Sequence, residues 1–235
     1  MISLFDKAAK RLFDSALSLV GLLLGAPLVV LIATMSKFAS PGPIVYRGLR
    51  VGRCGKPFYI FKFRTMLVEA ERLGGSATAG DDFRLTKFGK FLRRYKLDEL
   101  PQLVNVLKGE MSFVGPRPEV QKYVSMYSEE EKALLQLRPG ITDWASIWNS
   151  DEAAVLEGSR NPEQTYEELI RPTKILLQLM YLRDHSLLID VKILCHTLVK
   201  LINKNWTPKR LKPYGRVKRY SMLNETSKTP HTTSS

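Results

Sequence analysis

The apolar positions of this chain are unevenly spread, and the first concentration is the longest. Residues 16–35, ALSLVGLLLGAPLVVLIATM, carry no charged side chain. As one helix the stretch would extend about 30 Å, the thickness of a bilayer's hydrocarbon core. It lacks the compact apolar core and small-residue cleavage site of a signal peptide, because Ala33 is followed by bulky Met35 and Lys37. Pro27 sits in the middle, removes one backbone donor and bends a helix, with Gly25 close by. Lys7, Lys10 and Arg11 precede the stretch; Lys37, Arg47 and Arg50 follow it. Basic residues at both ends favour keeping both ends cytosolic. Two shapes follow: a single span, or a re-entrant helix that bends at Ala26-Pro27 and leaves on the side it entered. Only the second satisfies both the proline and the flanks.

Elsewhere the apolar runs are shorter. Leu4, Phe5, Ala8, Leu12 and Phe13 share one helical face, either an amphipathic approach to a membrane or a terminal helix packed on the domain. Ile44–Tyr46 and Phe58–Phe63, bracketed by Pro-Gly turns, predict a short β-hairpin. Residues 69–82 are small, polar and glycine-rich and predict a connection, in which Asp81 and Asp82 serve a metal or an ordinary turn. Leu100, Leu103, Val104 and Leu107 recur at helical spacing. Asp98 is placed to cap that helix, Pro101 fits its first turn, and Gly109 ends it. A helix over 163–183 is expected to bend or break at Pro172, and a second, strongly apolar one covers 187–202. Lys192 and Lys200 set that second helix against a headgroup surface or leave it packed on the domain. Trp144 and Trp148 read as core or interface aromatics.

The expected fold is therefore α+β: one mainly helical catalytic domain with a short hairpin, an N-terminal re-entrant membrane helix and amphipathic helices at the membrane surface. The expected divisions are 1–39 for the membrane region, 40–206 for the domain and 207–235 for a basic, loosely held tail.

Charge narrows the partners. The 36 Lys and Arg outnumber 23 Asp and Glu, a formal charge of +13. With 25% charged and 44% hydrophobic residues the chain is no disordered basic tail. A positive surface suits anionic lipid, nucleic acid or phosphorylated small molecules. The basic residues are dispersed, which argues against nucleic acid. Cys54 and Cys195, with His185, His196 and His231, form no disulfide or zinc pattern.

Candidate chemistry concentrates in residues 96–119, KLDELPQLVNVLKGEMSFVGPRPE. Asp98 and Glu99 sit where a helix start presents free backbone donors, which keeps a carboxylate ionised. By itself this pair also fits a capped surface helix. Arg93, Arg94 and Lys96 stand beside it as attractors of phosphate. Gly115-Pro116-Arg117-Pro118-Glu119 is stiff, and a guanidinium held there grips a phosphate through two hydrogen bonds. Arg138-Pro139-Gly140 repeats an arginine beside a turn. Lys62 and Arg64 are further available cations.

These motifs in this order are familiar. SPGPIVY (40–46), FYIFKFRTM (58–66), LTKFGKFLRR (85–94), LDELPQLVNVLKGEMSFVGPRPE (97–119) and RPGIT (138–142) make residues 3 to about 202 resemble the bacterial sugar transferases. In particular the chain resembles the short, monotopic phosphoglycosyl transferases. The resemblance implies transfer of a sugar 1-phosphate from a UDP-sugar to polyprenyl (undecaprenyl) phosphate, at the cytosolic face of the bacterial inner membrane. It implies Asp98 as nucleophile and Mg²⁺ ligand, and Glu99 as a second Mg²⁺ ligand or as a charge partner in proton handling. Arg117 would be the main phosphate clamp, with Arg64, Arg94 and Arg138 as further substrate contacts. The family's helix break is a Ser-Pro pair; here it is Ala26-Pro27, so the serine's hydrogen bond would have to come from Thr34 or water. Anionic phospholipid and a second copy of the chain are the expected further partners. The competing account is a non-catalytic, basic, membrane-bound assembly factor of a glycan pathway.

Overall fold

The computed structural model describes residues 4–70, 72–75 and 77–215, with side chains from residue 6 onward in the first helix. The expected roles of Leu4 and Phe5, and the tail beyond 215, fall outside the described residues.

Helix α1 runs unbroken from Leu4 to Ala39 with Pro27 inside it. One face of it is applied to the rest of the protein along both halves. Lys10, Arg11, Asp14, Ser18, Gly21, Val29, Ile32 and Ser36 recur at helical spacing, and Asp14, Ser18, Ile32 and Ser36 are buried. Leu23, Leu24, Leu28, Val30 and Leu31 point outward and are exposed. Because residues on either side of Pro27 pack on the same domain, α1 behaves as a monotopic anchor and not as a span that leaves the domain behind. Thr34 does not replace the donor that Pro27 lacks: its hydroxyl bonds the Val30 carbonyl at 2.9 Å, whereas the missing bond belongs to Leu23.

The hairpin forms as expected and extends further. Strands β1 (Val45–Val51) and β2 (Pro57–Phe63) pair antiparallel, with Tyr46 opposite Lys62 and Gly48 opposite Ile60. Alternation sends Phe58 and Ile60 inward against Val106 and Met111. Lys62 shares their face.

Helix α2 (Lys87–Arg94) is capped by Thr86, whose hydroxyl accepts from the Gly89 N–H at 2.9 Å. A 3-10 turn, Leu97–Glu99, then leads into helix α3 (Gln102–Lys108). Asp98 is thus not the N-cap of α3; it lies one turn earlier, and Pro101 holds the cap position. The buried side of α3 is also rotated from the expected stripe. Gln102, Leu103, Asn105 and Val106 face inward, while Val104 and Leu107 are partly exposed. The reason is Asn105, a polar side chain consumed by the hairpin: its Oδ1 accepts from the Phe61 N–H and its Nδ2 donates to the Tyr59 carbonyl. Gly109 ends α3 in the left-handed conformation, φ 84°.

Strands β3 (Ser112–Val114) and β4 (Gly140–Thr142), invisible to periodicity because each is three residues long, pair in parallel. Gly115 and Gly140 meet face to face; a Cβ on Gly115 would stand 2.3 Å from the Arg138 carbonyl oxygen. The pairing therefore requires glycine on both sides.

Helix α4 (Trp144–Trp148), capped by Asp143, leads to the main core. Two further helices complete it. Helix α5 (Arg171–Asp184) begins after a π-helical turn, Tyr166–Ile170, with Pro172 in its first turn, the expected boundary. Helix α6 covers Leu187–Ile202. Trp144, Ile147, Leu156, Ile170, Leu177, Tyr181 and Ile193 are almost completely buried between them. Lys200 does not reach for a headgroup: it is buried and its ammonium donates to the Trp206 carbonyl at 2.9 Å. The segment after Trp206 is also better held than its composition suggests. Lys209–Tyr214 forms a 3-10 helix, Leu211 is wholly buried, and Trp148 Nε1 donates to the Gly215 carbonyl at 2.9 Å. The tail expected from residue 207 thus begins no earlier than 216.

Candidate active site

The site is built from the turn between α2 and α3. Lys96 takes a left-handed conformation (φ 58°) and reverses the chain after α2. Leu97 and Leu100 then point into a small core with Ile32 of α1, Phe63 and Leu92. Burying a side chain such as Ile32 contributes about 1.5–3 kcal/mol. The membrane helix therefore packs directly on the turn that carries Asp98 and Glu99, and sets the depth of both carboxylates.

The two carboxylates are treated differently. Glu99 Oε1 accepts from Lys62 Nζ at 2.7 Å and from Arg117 at 2.6 Å. Burial alone would raise the Glu99 carboxyl, but the charges of Arg117, Lys62 and Lys96 outweigh it and hold it well below the ordinary value of 4.5. Lys62 moves the same way for its own reasons: burial, reinforced by nearby Arg117, lowers its ammonium against the pull of Glu99. Asp98, only 5% exposed, is not paired in this manner. Its Oδ1 is buried with no hydrogen-bond partner. Arg93 and Lys62 both feel its charge, and Arg93 is held in place beside it. Its Nε is fixed on Thr65 Oγ1 at 2.9 Å; burial lowers the guanidinium while Asp98 opposes that shift.

Arg117 is delivered by a pinned segment. Gly115 N donates to the Thr142 carbonyl, Gly140 N to the Pro116 carbonyl, and Val51 N to the Glu119 carbonyl, all within 2.9–3.1 Å. The Glu119 side chain is itself held by Lys174 at 2.5 Å and by the Tyr166 hydroxyl at 3.1 Å. Burial opposes ionisation of Glu119, but Lys174 and Tyr166 keep it below its usual value. Lys62, Arg93, Asp98, Glu99, Arg117 and Glu119 all border one open cleft of ≈ 2160 Å³, roomier than the about 300–1,000 Å³ of common small-molecule sites.

Of the arginines expected at phosphate, Arg117 lies beside the dyad and Arg94 is exposed on the cleft wall, its guanidinium 5.9 Å from the Tyr95 ring. Arg64 also borders the cleft, but its donors are spent on the Pro43, Ser40 and Met66 carbonyls. Arg138 stands outside the cleft lining and closes the end of α3 through the Gly109 carbonyl at 3.0 Å. Asp81 and Asp82 serve the connection itself. Asp81 accepts from Gly158 N and Asp82 from Arg84. Lys62 and Arg93 do not stand out by local motif among the neighbouring cations. Alternation along β2 was the available signal for Lys62, which falls on the inner face with Phe58 and Ile60.

A buried carboxylate left unpaired and a second one clamped by two cations thus meet on one turn, with the long apolar helix packed beneath both. The chain belongs to the bacterial sugar transferase family, whose model matches residues 5–204. It is 38% identical over 204 residues to the UDP-glucose:undecaprenyl-phosphate glucose-1-phosphate transferase of Escherichia coli (strain K12), covering 85% of this chain and 41% of the relative. A similar likeness, 34% over 192 residues, links it to the UDP-N-acetylgalactosamine-undecaprenyl-phosphate N-acetylgalactosaminephosphotransferase of Aeromonas hydrophila, covering 80% of this chain and 42% of that protein. The chain thus spans about two fifths of these relatives. It is also 35% identical over 193 residues to the uncharacterized sugar transferase EpsL of Bacillus subtilis (strain 168), covering 82% of this chain and 87% of EpsL.

Proposed function

We propose that the protein is a phosphoglycosyl transferase that moves a sugar 1-phosphate from a UDP-sugar to polyprenyl phosphate at the cytosolic face of the bacterial inner membrane. In this reading Asp98 Oδ1 attacks the sugar-proximal phosphorus. The bond from that phosphorus to the bridging oxygen breaks, and UMP departs with the bond's electrons. The phosphosugar is left on Asp98 as an acyl phosphate. An oxygen of polyprenyl phosphate then attacks the same phosphorus, releasing the carboxylate and forming the polyprenyl diphosphate sugar.

The observation that carries this reading is the unpartnered, buried Oδ1 of Asp98 beside a row of fixed cations. A carboxylate approaching a diphosphate meets two negative charges, and Arg93, Lys62 and Arg117 stand where they reduce that repulsion. Arg117 has a second use. Released from Glu99, its guanidinium offers two donors to one phosphate.

The donor set also fits Mg²⁺. Asp98 and Glu99 are adjacent hard-oxygen ligands, and Lys62 and Arg117 both donate to the same Glu99 oxygen, Oε1. Mg²⁺ is commonly held by one or two carboxylates together with substrate phosphates, so a third protein ligand is not needed. When bound, the ion would neutralise the diphosphate and stabilise the departing phosphate. Relatives of similar identity are named as glucose and N-acetylgalactosamine transferases.

The test is trapping. With radiolabelled donor and no polyprenyl phosphate, label should stay on the protein in a Mg²⁺-dependent manner and be lost in Asp98→Asn. Normal turnover with no trapped label would remove the covalent intermediate. Lipid and partner binding without any transfer would favour an assembly factor.

A further inference from the structure

Among the described residues, few buried side-chain polar atoms lack a partner, and three of those belong to cleft-lining residues: Asp98 Oδ1, Tyr123 Oη and Asn149 Nδ2. The first is the proposed nucleophile, for which the lack of a partner is functional. The other two have no such use in the reaction. A buried hydroxyl without a partner costs about 1–3 kcal/mol, and phenylalanine would fill the same space at Tyr123 without that cost. Folding alone therefore does not account for the hydroxyl.

The surroundings indicate what would satisfy it. Tyr123 is 5% exposed and its ring packs tilted on Tyr166 at 5.0 Å between centroids. The Tyr166 hydroxyl bonds Glu119 and receives a bond from Lys174, so this end of the cleft is polar but internally compensated. Burial, together with Glu163, Glu119, Glu167 and Glu152, pushes the Tyr123 phenol above its usual value, which keeps its proton in place for donation. The group that belongs here is neutral, oxygen-rich and small. It also lies near the phosphate clamp, because Glu119, which Tyr166 holds, is two residues from Arg117 on the same rigid segment.

We propose that Tyr123 and Asn149 form the subsite that reads hydroxyl or acetamido oxygens on the sugar ring of the donor. This rests on the donor reading above and deepens it. The sugar hangs from the phosphorus that Asp98 attacks, so its ring is carried beside Arg117. A compensated wall with two waiting donors then discriminates between sugars through their ring oxygens, not through charge.

The test reads binding separately from turnover. Full-length protein in lipid nanodiscs is titrated with UMP and with UDP-sugars that differ at one ring substituent. Affinity is taken from ligand-induced thermal stabilisation. For Tyr123→Phe, and separately Asn149→Ala, the preferred donor should lose about fivefold to tenfold in affinity, the worth of one hydrogen bond. Discrimination among donors should narrow, and UMP should bind as before. Unliganded Tyr123→Phe should melt no lower than the parent. The proposal is overturned if UMP and every donor lose affinity equally, since the residues would then read the nucleotide. It is also overturned if discrimination is unchanged in both variants, or if no UDP-sugar binds the parent protein. Donors that bind without UMP release would refute the transferase reading and leave the subsite standing.

Discussion

Glu119 and Lys174 show how tightly this protein restrains its charged residues. Both side chains are about nine-tenths buried, and the ion pair between them anchors the segment that carries Arg117. Lys174→Met should destabilise the fold by about 3–5 kcal/mol, because it leaves a buried carboxylate unpaired. Adding Glu119→Gln should recover part of the loss, as measured by reversible unfolding in detergent. The pair also predicts a pH window. The Glu119 carboxyl sits below its ordinary 4.5 in the fold, so its contribution is complete above that value and fades as pH falls through the lowered one. The Lys174 ammonium sits well above 10.5 because Glu119 overrides the effect of burial. Its contribution is complete below 10.5 and fades as pH rises through the raised value. The stability difference between parent and double variant should therefore be flat between these limits and shrink outside them. A difference that changes steadily across neutral pH would contradict the pairing.

At the scale of elements, α1 and α3 meet over a narrow seam. A Cβ at Gly21 would stand 3.2 Å from Leu103 Cδ1, whereas one at Gly25 would meet nothing within 4 Å. Gly21→Leu should therefore force the helices apart, at about 1–3 kcal/mol for overpacking. Gly25→Leu should be tolerated, and thermal melts of the two variants give the comparison. Equal effects would mean that the seam is not packed as described. The elements also divide by how much of them the sequence reveals. The hairpin, the end of α3 at Gly109, the start of α5 at Pro172 and the extent of α6 were legible because turn residues and periodicity mark them. Strands β3 and β4 were not, since three residues give no period and their pairing depends on two glycines far apart in the chain. Asp98 and Arg117 were legible as candidates from local motif. The cations that complete the site were not, because Lys62 reaches Glu99 only through the hairpin's fold and Arg93 is fixed by Thr65 on a different segment.

For the molecule as a whole, the decisive relation is between one long apolar helix and the domain that touches both of its halves. A membrane-impermeant maleimide should label Lys7→Cys and Lys37→Cys from the same side of the membrane, with Cys54 and Cys195 replaced by serine. Labelling from opposite sides would refute the monotopic seating. The packed face of α1 has a consequence for how the protein is made. Arg11 donates to the Val106 and Leu107 carbonyls, Asp14 accepts from Phe113 N, Ser18 donates to the Leu103 carbonyl, and Lys10 pairs with Asp190. Every one of these partners is synthesised after the helix, the last of them some 180 residues later. Until the ribosome has delivered them, the emerging helix carries polar groups that lipid will not solvate. Biogenesis of the anchor and synthesis of the domain it packs on are in this sense a single event.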